Sequence, residues 1–237
     1  MRFILTGGGT GGHVYPLAAI AEELFRRGGH ELLWLGKKNG LEERVAHALS
    51  VPFQPVPTGR LVRTWRWENW TAPWRTLQGY FASKSVIHTY HPHAVISSAG
   101  YVSAPAMFAA HANGVITILL EQNAKPGITA RVSSHLANHV VTAFPQAARY
   151  FPKEKVCLLG NPIRRSSVRV GREESARYLG IDPAKKTILF AGGSLGARFI
   201  NELCARIAPA IFSKKMQILC WTGEGNTYET AEGVLVK

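Results

Sequence analysis

Short apolar runs alternate with longer stretches in which apolar residues recur every three or four positions. Such runs, bounded by glycine or proline, predict buried strands, and the three-to-four spacing predicts amphipathic helices. The predicted strands are 2–6, 31–35, 52–57, 94–97, 115–120 and 139–142, and the predicted helices are 14–27, 41–49, 77–89, 106–112 and 128–137. This alternation is typical of an α/β fold of the Rossmann type, a parallel sheet covered by helices on both faces.

A second strand–turn–helix pattern follows in the C-terminal part of the chain. After a short helix around Ala147 and a strand at 156–159, the Gly/Pro-containing segment 160–164 interrupts the pattern. We therefore predict a domain boundary there, with residues 1–161 as a complete Rossmann-like domain and residues 162–237 as a partial one. The second part contains a strand at 187–190, a glycine turn, a helix at 198–212 and a strand at 216–220. Two strands do not complete a doubly wound sheet, so this second domain is predicted to be incomplete.

The turn after the first predicted strand contains five glycines in the six positions 7–12. Glycine allows positive φ angles and close approach of a ligand to the main chain, and the free N–H groups of the following helix favour an anion. His13 adds an imidazole at the mouth of the turn. The spacing also fits a dinucleotide fingerprint, and a purely structural tight turn is the alternative. The turn therefore predicts a phosphate or sugar cradle.

Composition narrows the chemistry. The chain of 237 residues has a formal net charge of +13, which makes phosphates, nucleic acid or an anionic membrane the candidate partners. Asp182 is the only aspartate, so no paired-carboxylate metal site is predicted. No cofactor is predicted either. Lys37 and Lys38 follow the second strand where a nicotinamide-binding domain has an acid, which argues against NAD but leaves NADP open. The three cysteines lack paired spacing, and the chain begins directly with a strand, so we expect reduced thiols in a cytosolic protein without a signal peptide.

Residues 58–75 contain four tryptophans and four arginines. Tryptophan with arginine favours a lipid headgroup interface. Stacking on single-stranded nucleic acid and packing beneath a loop are the alternatives. The nearly uncharged stretch 94–120 could suggest a membrane span, but its glycine, proline and asparagine residues favour a buried strand–helix–strand unit.

Polar residues follow two further predicted strands. Segment 98–105 forms a second strand-to-helix turn, and Glu121, Gln122 and Asn123 follow the strand at 115–120. Open α/β sheets bind ligands at the carboxyl ends of their strands, so these three side chains are predicted to contact substrate. A buried Glu121 that only caps the next helix is the alternative.

Five segments in this order resemble the motifs of the MurG family of peptidoglycan N-acetylglucosaminyltransferases, which is glycosyltransferase family 28 with a GT-B fold. The segments are 7–16, 99–105, 121–127, 160–164 and 192–197. The resemblance implies transfer of N-acetylglucosamine from UDP-N-acetylglucosamine to an undecaprenyl-diphosphate-linked muramyl sugar, inverting and without a metal. Ala99, Ala104, Leu120 and Leu195 depart from residues usual in the family.

The resemblance also implies roles for individual residues. His13 matches a candidate catalytic base, and Tyr101 and Ser103 lie in the loop expected to face the acceptor diphosphate. Residues matching those that hold the UDP sugar are Thr10, Gly11, Gly12, Asn123, Arg164 and Ser194. Gly193 lies in the same glycine turn as Ser194 and is expected to contact the substrate as well.

The resemblance also implies that the protein is peripherally attached to the cytoplasmic face of the cell membrane. The expected partners are UDP-N-acetylglucosamine, the undecaprenyl-diphosphate lipid acceptor and an anionic membrane surface, with no nucleic acid. The family's later donor-binding region is missing before residue 237, so the chain alone is predicted to have little activity unless a C-terminal chain complements it. A non-catalytic, membrane-docked acceptor-binding half is the main alternative, and an NADP-dependent oxidoreductase or a nucleic-acid binder are others.

Overall fold

The computed structural model describes residues 1–59, 68–165, 170–193, 196–212, 216–223 and 234–236. The chain divides into two compact units, Met1–Arg165 and Ser166–Lys237. The predicted boundary after residue 161 precedes this division by four residues. The roles predicted for the two domains stay predictions.

The first unit alternates strands with helices along its length. Its strands are β1 (Arg2–Thr6), β2 (Glu31–Gly36), β3 (Phe53–Pro55), β4 (Ala94–Ser97), β5 (Ile116–Glu121), β6 (His139–Thr142) and β7 (Val156–Leu158). Its helices are α1 (Gly11–Arg27), α2 (Leu41–Ala48), α3 (Glu68–Tyr90), α4 (Ala104–Ala112) and α5 (Ile128–Leu136), followed by short 3-10 turns at Pro145–Tyr150 and Lys153–Lys155. The strands form one seven-stranded sheet in the order β3-β2-β1-β4-β5-β6-β7, and the paired neighbours are parallel. The predicted α/β class with a parallel sheet is confirmed.

Successive residues of one strand supply two different cores, one on each face of the sheet. Ile4 of β1 packs with Val95 and Met107 in one cluster, whereas its neighbour Leu5 packs with Leu17 in the other. All five side chains are buried. Because side chains alternate across a strand, two covered faces require the continuous apolar runs seen in the sequence. The stretch 94–120 is accordingly β4, α4 and β5, as predicted.

Several helices begin before their predicted start. Helix α1 begins at Gly11, and α4 begins at Ala104 with Pro105 in its first turn, where a missing N–H costs little. Helix α3 begins at Glu68 and contains Pro73, so the predicted start at residue 77 was wrong by more than two turns. Residues 60–67 of the tryptophan- and arginine-rich stretch lie outside the described residues. Of its remaining tryptophans, Trp70 and Trp74 lie on α3 and are 70% and 62% exposed.

The second unit contains α6 (Arg172–Leu179), β8 (Lys186–Ala191), α7 (Arg198–Phe212), β9 (Met216–Trp221) and β10 (Val234–Val236). Its described strands form a parallel sheet in the order β10-β9-β8. Cys204 and Ala208 of α7 pack on Ile218 and Cys220 of β9. Helix α6 and strand β10 were not predicted. Within the described part of the chain, no helix combines the length and apolar character needed to cross a bilayer.

Candidate functional site

The carboxyl ends of four neighbouring strands bring the predicted site segments to one edge of the first sheet. The register pairs Thr6 of β1 with Ser97 of β4, and Glu121 of β5 with Thr142 of β6. Parallel strands end at the same edge, so the glycine turn, segment 98–103 and segment 121–123 lie side by side there. The hydroxyls of Thr6, Ser98 and Thr142 are buried and have no hydrogen-bond partner among the described residues. This edge therefore carries unused hydrogen-bonding capacity.

The glycine turn connects β1 to α1. Gly9 has φ +85°, a value that L side chains rarely adopt. The carbonyl of Thr10 accepts hydrogen bonds from the amides of His13 and Val14 at 3.1 and 3.2 Å, which starts the helix. Thr10 and Gly12 are exposed and Gly11 is buried. The predicted cradle residues thus lie at the N-terminus of α1, where main-chain dipoles favour an anion.

A residue that the sequence analysis missed lies beneath this turn. Glu42 of α2 is 1% exposed, and its carboxylate accepts hydrogen bonds from the amides of Lys37 and Gly9 at 3.0 and 3.3 Å. The amide of Gly9 is therefore directed at a protein side chain, which the predicted cradle did not include. The local signal was a glutamate in the first turn of a helix after a glycine, which is also typical of an ordinary capped helix.

His13 is half-buried at the first turn of α1. Its Nδ1 lies 2.6 Å from the carbonyl oxygen of Ser98. A carbonyl only accepts hydrogen bonds, so Nδ1 carries the proton and the neutral ring has its lone pair on Nε2. A Cβ placed on Gly100 would lie 3.7 Å from that Nε2, an ordinary van der Waals distance, so Gly100 borders the ring. The Ser98 carbonyl thus selects the tautomer of the neutral ring in which Nε2 carries the lone pair, and the predicted role of His13 as a base stays a prediction.

The loop after β4 places the two residues predicted to face an acceptor in different environments. A Cβ on Gly9 would lie 3.2 Å from Cε1 of Tyr101, so the phenol ring borders the glycine turn. The hydroxyl of Ser103 is buried and lies 2.9 and 3.0 Å from the carbonyls of Ala99 and Gly100, to which it donates. Ala99 has φ +59°. The Ser103 hydroxyl thus stabilises a left-handed turn, and its predicted substrate contact stays a prediction.

Glu121 and Asn123 form a pair at the end of β5. Glu121 is 2% exposed, and its Oε1 accepts hydrogen bonds from both the backbone amide and the side-chain Nδ2 of Asn123, each at 2.8 Å. Asn123 itself is exposed, and these two hydrogen bonds orient its side chain toward a buried carboxylate. Between them, both amide atoms of Gln122 are buried and lack a hydrogen-bond partner among the described residues. Gln122 therefore offers a donor and an acceptor at the sheet edge.

The remaining predicted residues are Arg164 of the first unit and Gly193 and Ser194 of the second. The guanidinium of Arg164 donates to the carboxylate of Glu22 on α1, with Nε and Nη2 at 2.7 and 2.5 Å from the same oxygen. In the second unit, Gly193 has φ +83°, and no atom of the described residues is found within 4 Å of a Cβ placed on it. Ser194 lies outside the described residues. The binding roles of these three residues stay predictions.

The fold and its polar edge define the first unit as a Rossmann-type domain of the GT-B class. The profile described as "Glycosyltransferase family 28 N-terminal domain" matches residues 3–142, and the chain therefore belongs to glycosyltransferase family 28. The resemblance noted in the sequence is confirmed at the level of the family.

The names of similar proteins agree with this assignment. The chain is 38% identical over 225 residues to the "UDP-N-acetylglucosamine--N-acetylmuramyl-(pentapeptide) pyrophosphoryl-undecaprenol N-acetylglucosamine transferase" of Bacillus subtilis, covering 94% of this chain and 62% of that protein. It is 35% identical to the protein of the same name from Halothermothrix orenii, covering 100% of this chain and 65% of that protein. The chain thus spans under two thirds of the length of these relatives.

Solved structures support the fold. The crystal structure of Acinetobacter baumannii MurG matches with a TM-score of 0.65 at 24% identity, covering 100% of this chain and 65% of that chain. A UDP-GlcNAc 2-epimerase from Neisseria meningitidis bound to UDP-GlcNAc matches with a TM-score of 0.68 at 12% identity, covering 100% of this chain and 72% of that chain. At these identities the likeness concerns the fold alone.

Proposed function

We propose that this chain is the acceptor-binding part of a hexosyltransferase that moves N-acetylglucosamine from UDP-N-acetylglucosamine to an undecaprenyl-diphosphate-linked muramyl sugar. The family membership and the name shared by the relatives support this substrate pair. The observation that carries the proposal is the imidazole of His13, held at Nδ1 by the Ser98 carbonyl with its Nε2 beside Gly100. We propose that the complete activity also needs a donor-binding region, which a complementing polypeptide can supply.

The proposed reaction is a single displacement with inversion. Nε2 of His13 takes the proton of the acceptor hydroxyl as its oxygen forms a bond to the anomeric carbon of the donor sugar. The bond from that carbon to the UDP oxygen breaks, and the electron pair leaves with UDP. Because Nδ1–H donates to a carbonyl, this hydrogen bond persists and strengthens as the ring becomes cationic.

We propose that charge on the diphosphates is compensated by main-chain N–H groups and arginine, without a metal ion. The carboxylates of Glu42 and Glu121 at this edge are each engaged by N–H donors, which leaves them unsuited as metal ligands. The predicted contact of Arg164 with the donor diphosphate requires it to exchange its carboxylate partner Glu22 for a phosphate. A carboxylate and a phosphate can each accept two hydrogen bonds from one guanidinium group, so the exchange preserves the type of hydrogen bond.

Membrane contact is the second part of the proposal. Exposed apolar side chains of α3, α4 and α5 surround an open cavity of about 760 Å³, which Tyr101 also lines. Leu77, Phe108, Ile128 and Val132 line it and are 44%, 36%, 82% and 48% exposed. A contiguous apolar surface on a chain of net charge +13 fits an anionic bilayer. We therefore propose peripheral binding at the cytoplasmic face, near the acceptor's lipid chain.

Transfer to a lipid-linked acceptor analogue tests the catalytic proposal. The chain is assayed with radiolabelled UDP-N-acetylglucosamine, alone and with a separately expressed C-terminal part of a relative. In the complemented assay, His13→Gln lowers kcat by about 10²–10⁴, the loss typical for a general base, whereas His111→Gln on the exposed side of α4 leaves kcat unchanged. EDTA leaves the rate unchanged. Equal rates for His13→Gln and the parent chain would remove His13 from the mechanism.

A non-catalytic acceptor-binding half is the second candidate. It is favoured by the apolar cavity lined by Tyr101, which would receive a lipid whether or not sugar transfer occurs. In this case the chain binds acceptor lipid and anionic vesicles, but no complementing chain restores transfer. Sedimentation with phosphatidylglycerol and phosphatidylcholine vesicles measures the membrane contact: Trp70→Ser/Trp74→Ser weakens binding, and Phe199→Ser, which removes an equally exposed ring from α7, does not. Transfer by the pure chain would exclude this candidate.

A further inference from the structure

We infer that Glu42 is a positioning residue of the site, whose buried carboxylate holds the glycine turn in the shape that receives an anion. The inference rests on the proposed function in one respect, namely that the turn binds a diphosphate. It concerns a side chain on a different helix, α2, which neither the sequence motifs nor the comparisons assign to the site.

Two loops are joined through this carboxylate. Oε2 accepts from the amide of Gly9 in the turn between β1 and α1, and Oε1 accepts from the amide of Lys37 in the turn between β2 and α2. No ion pair between described residues includes Glu42, so these backbone donors carry its charge. A buried carboxylate is stable only with such donors, and the N-terminus of α2 adds a favourable dipole.

Three glycines leave the space that the Glu42 side chain fills. A Cβ on Gly8 would lie 2.3 Å from its carboxyl carbon, one on Gly36 would lie 2.6 Å from its Cγ, and one on Gly40 would lie 2.6 Å from its carboxyl carbon. Gly8 belongs to the turn itself, so the turn and the carboxylate are packed directly on each other. Because Gly8 does not have a positive φ, space and not backbone conformation is the reason for its glycine.

This packing decides which amides of the turn a ligand meets. Gly9 has φ +85° and no side chain to restrict it, and its hydrogen bond to Glu42 turns its N–H inward. The exposed Gly12, in the first turn of α1, lies outside this contact. Glu42 thus fixes the inner side of the turn, and the start of α1 is left to bind the anion. Loss of the carboxylate would leave an orphaned amide on a flexible glycine, which would reorient toward water.

The first test measures pyrophosphate binding to the whole 237-residue chain, through the amide shifts of Gly12 and His13 in NMR spectra. Glu42→Gln keeps the side-chain shape but presents an NH2 group to one of the two amide donors. We expect it to weaken pyrophosphate binding about tenfold and to speed hydrogen exchange at Gly9. Glu43→Gln is the matched control, because Glu43 lies in the same turn of α2 and accepts from the amide of Asn39 instead. We expect this variant to bind within twofold of the parent chain.

The second measurement is a cycle of melting temperatures. Gly8→Ala lowers the melting temperature while Glu42 is present, and it has little further effect in a Glu42→Ala background, where the added methyl group occupies vacated space. Additive effects would show that the two residues do not pack together and would overturn the inference.

The outcomes separate this inference from the proposed function. Parent-like pyrophosphate binding by Glu42→Gln overturns the positioning role and leaves the proposed function in place. If the parent chain shows no shift at Gly12 or His13 with pyrophosphate, the turn is not an anion site, and both proposals fail. Tenfold weaker binding by Glu42→Gln at a temperature where it is fully folded, with Glu43→Gln unchanged, supports the inference.

Discussion

Gly79 lies in the middle of α3, where helix propensity and packing make opposite predictions for alanine. In an isolated helix, Gly79→Ala would be stabilising by about 1 kcal/mol. In this protein the added Cβ would lie 2.0 Å from the carbonyl oxygen of Pro57 and 3.0 Å from both Cβ and Cγ of Pro105. A backbone oxygen and a proline ring have little freedom to move, and overpacking of this kind costs about 1–3 kcal/mol. Since the first contact is far closer than real Cβ contacts, we expect a net destabilisation of about 1–2 kcal/mol.

Thermal unfolding followed by circular dichroism measures this effect. A loss of 1 kcal/mol corresponds to a decrease in melting temperature of about 2–4 °C for a domain of this size. Gly127→Ala is the control, because Gly127 precedes α5 with an ordinary φ of −71° and has nothing within 4 Å of an added Cβ. We expect it to change stability by less than about 1 kcal/mol, the worth of an N-cap. An increase in melting temperature for Gly79→Ala would refute the close packing of α3 against Pro57 and Pro105.

Two further predictions concern the cysteines and the pair at the end of β5. Burial raises the pKa of the Cys204 thiol to about 12, with a smaller contribution from the neighbouring Cys220. The thiol is therefore protonated in the folded chain at pH values where an unfolded thiol ionises, so the free energy of unfolding decreases as the pH rises from 9 toward 12. Ellman's reagent at pH 8 should modify the half-buried Cys157 in the folded chain and all three thiols in guanidinium, and equal rates in the folded chain would contradict this burial. Glu121→Ala leaves the amide of Asn123 without its acceptor and should cost about 1–3 kcal/mol in urea unfolding. A change below about 0.5 kcal/mol would mean that water replaces the carboxylate.

The sequence predicted most elements of the first unit because its central strands are buried on both faces. Such strands are short apolar runs, and the predictions for β1, β4 and β6 agree with the structure at both ends. The start of α3 was missed because its first turns carry exposed tryptophans and a proline, which periodicity does not associate with a helix. Helix α6 was missed because it is polar, although Gly180 at φ +72° marks its end.

At the site, the residues within each motif were predictable from the sequence, but the groups to which they hydrogen-bond were not. The sequence indicated that His13 lies at the mouth of a glycine turn, and the sheet register brought segment 98–103 beside it. The hydrogen bond that fixes its tautomer is donated to the backbone carbonyl of Ser98, an acceptor that every residue carries and that no side-chain type in the sequence marks. The same applies to Glu42, whose bond to Gly9 spans 33 positions of the chain.

By itself, the amino-acid sequence determined the parallel α/β architecture and the position of the glycine turn, because these depend on local apolar patterns and glycine spacing. The family followed from the resemblance of five ordered segments to its motifs. Only the tertiary structure decided that a buried glutamate of α2 supports that turn and that Asn123 is oriented by Glu121. It also decided that the guanidinium of Arg164 is paired with Glu22. The physical reason is that the sheet register and helix packing, and not proximity along the chain, set which donors and acceptors meet.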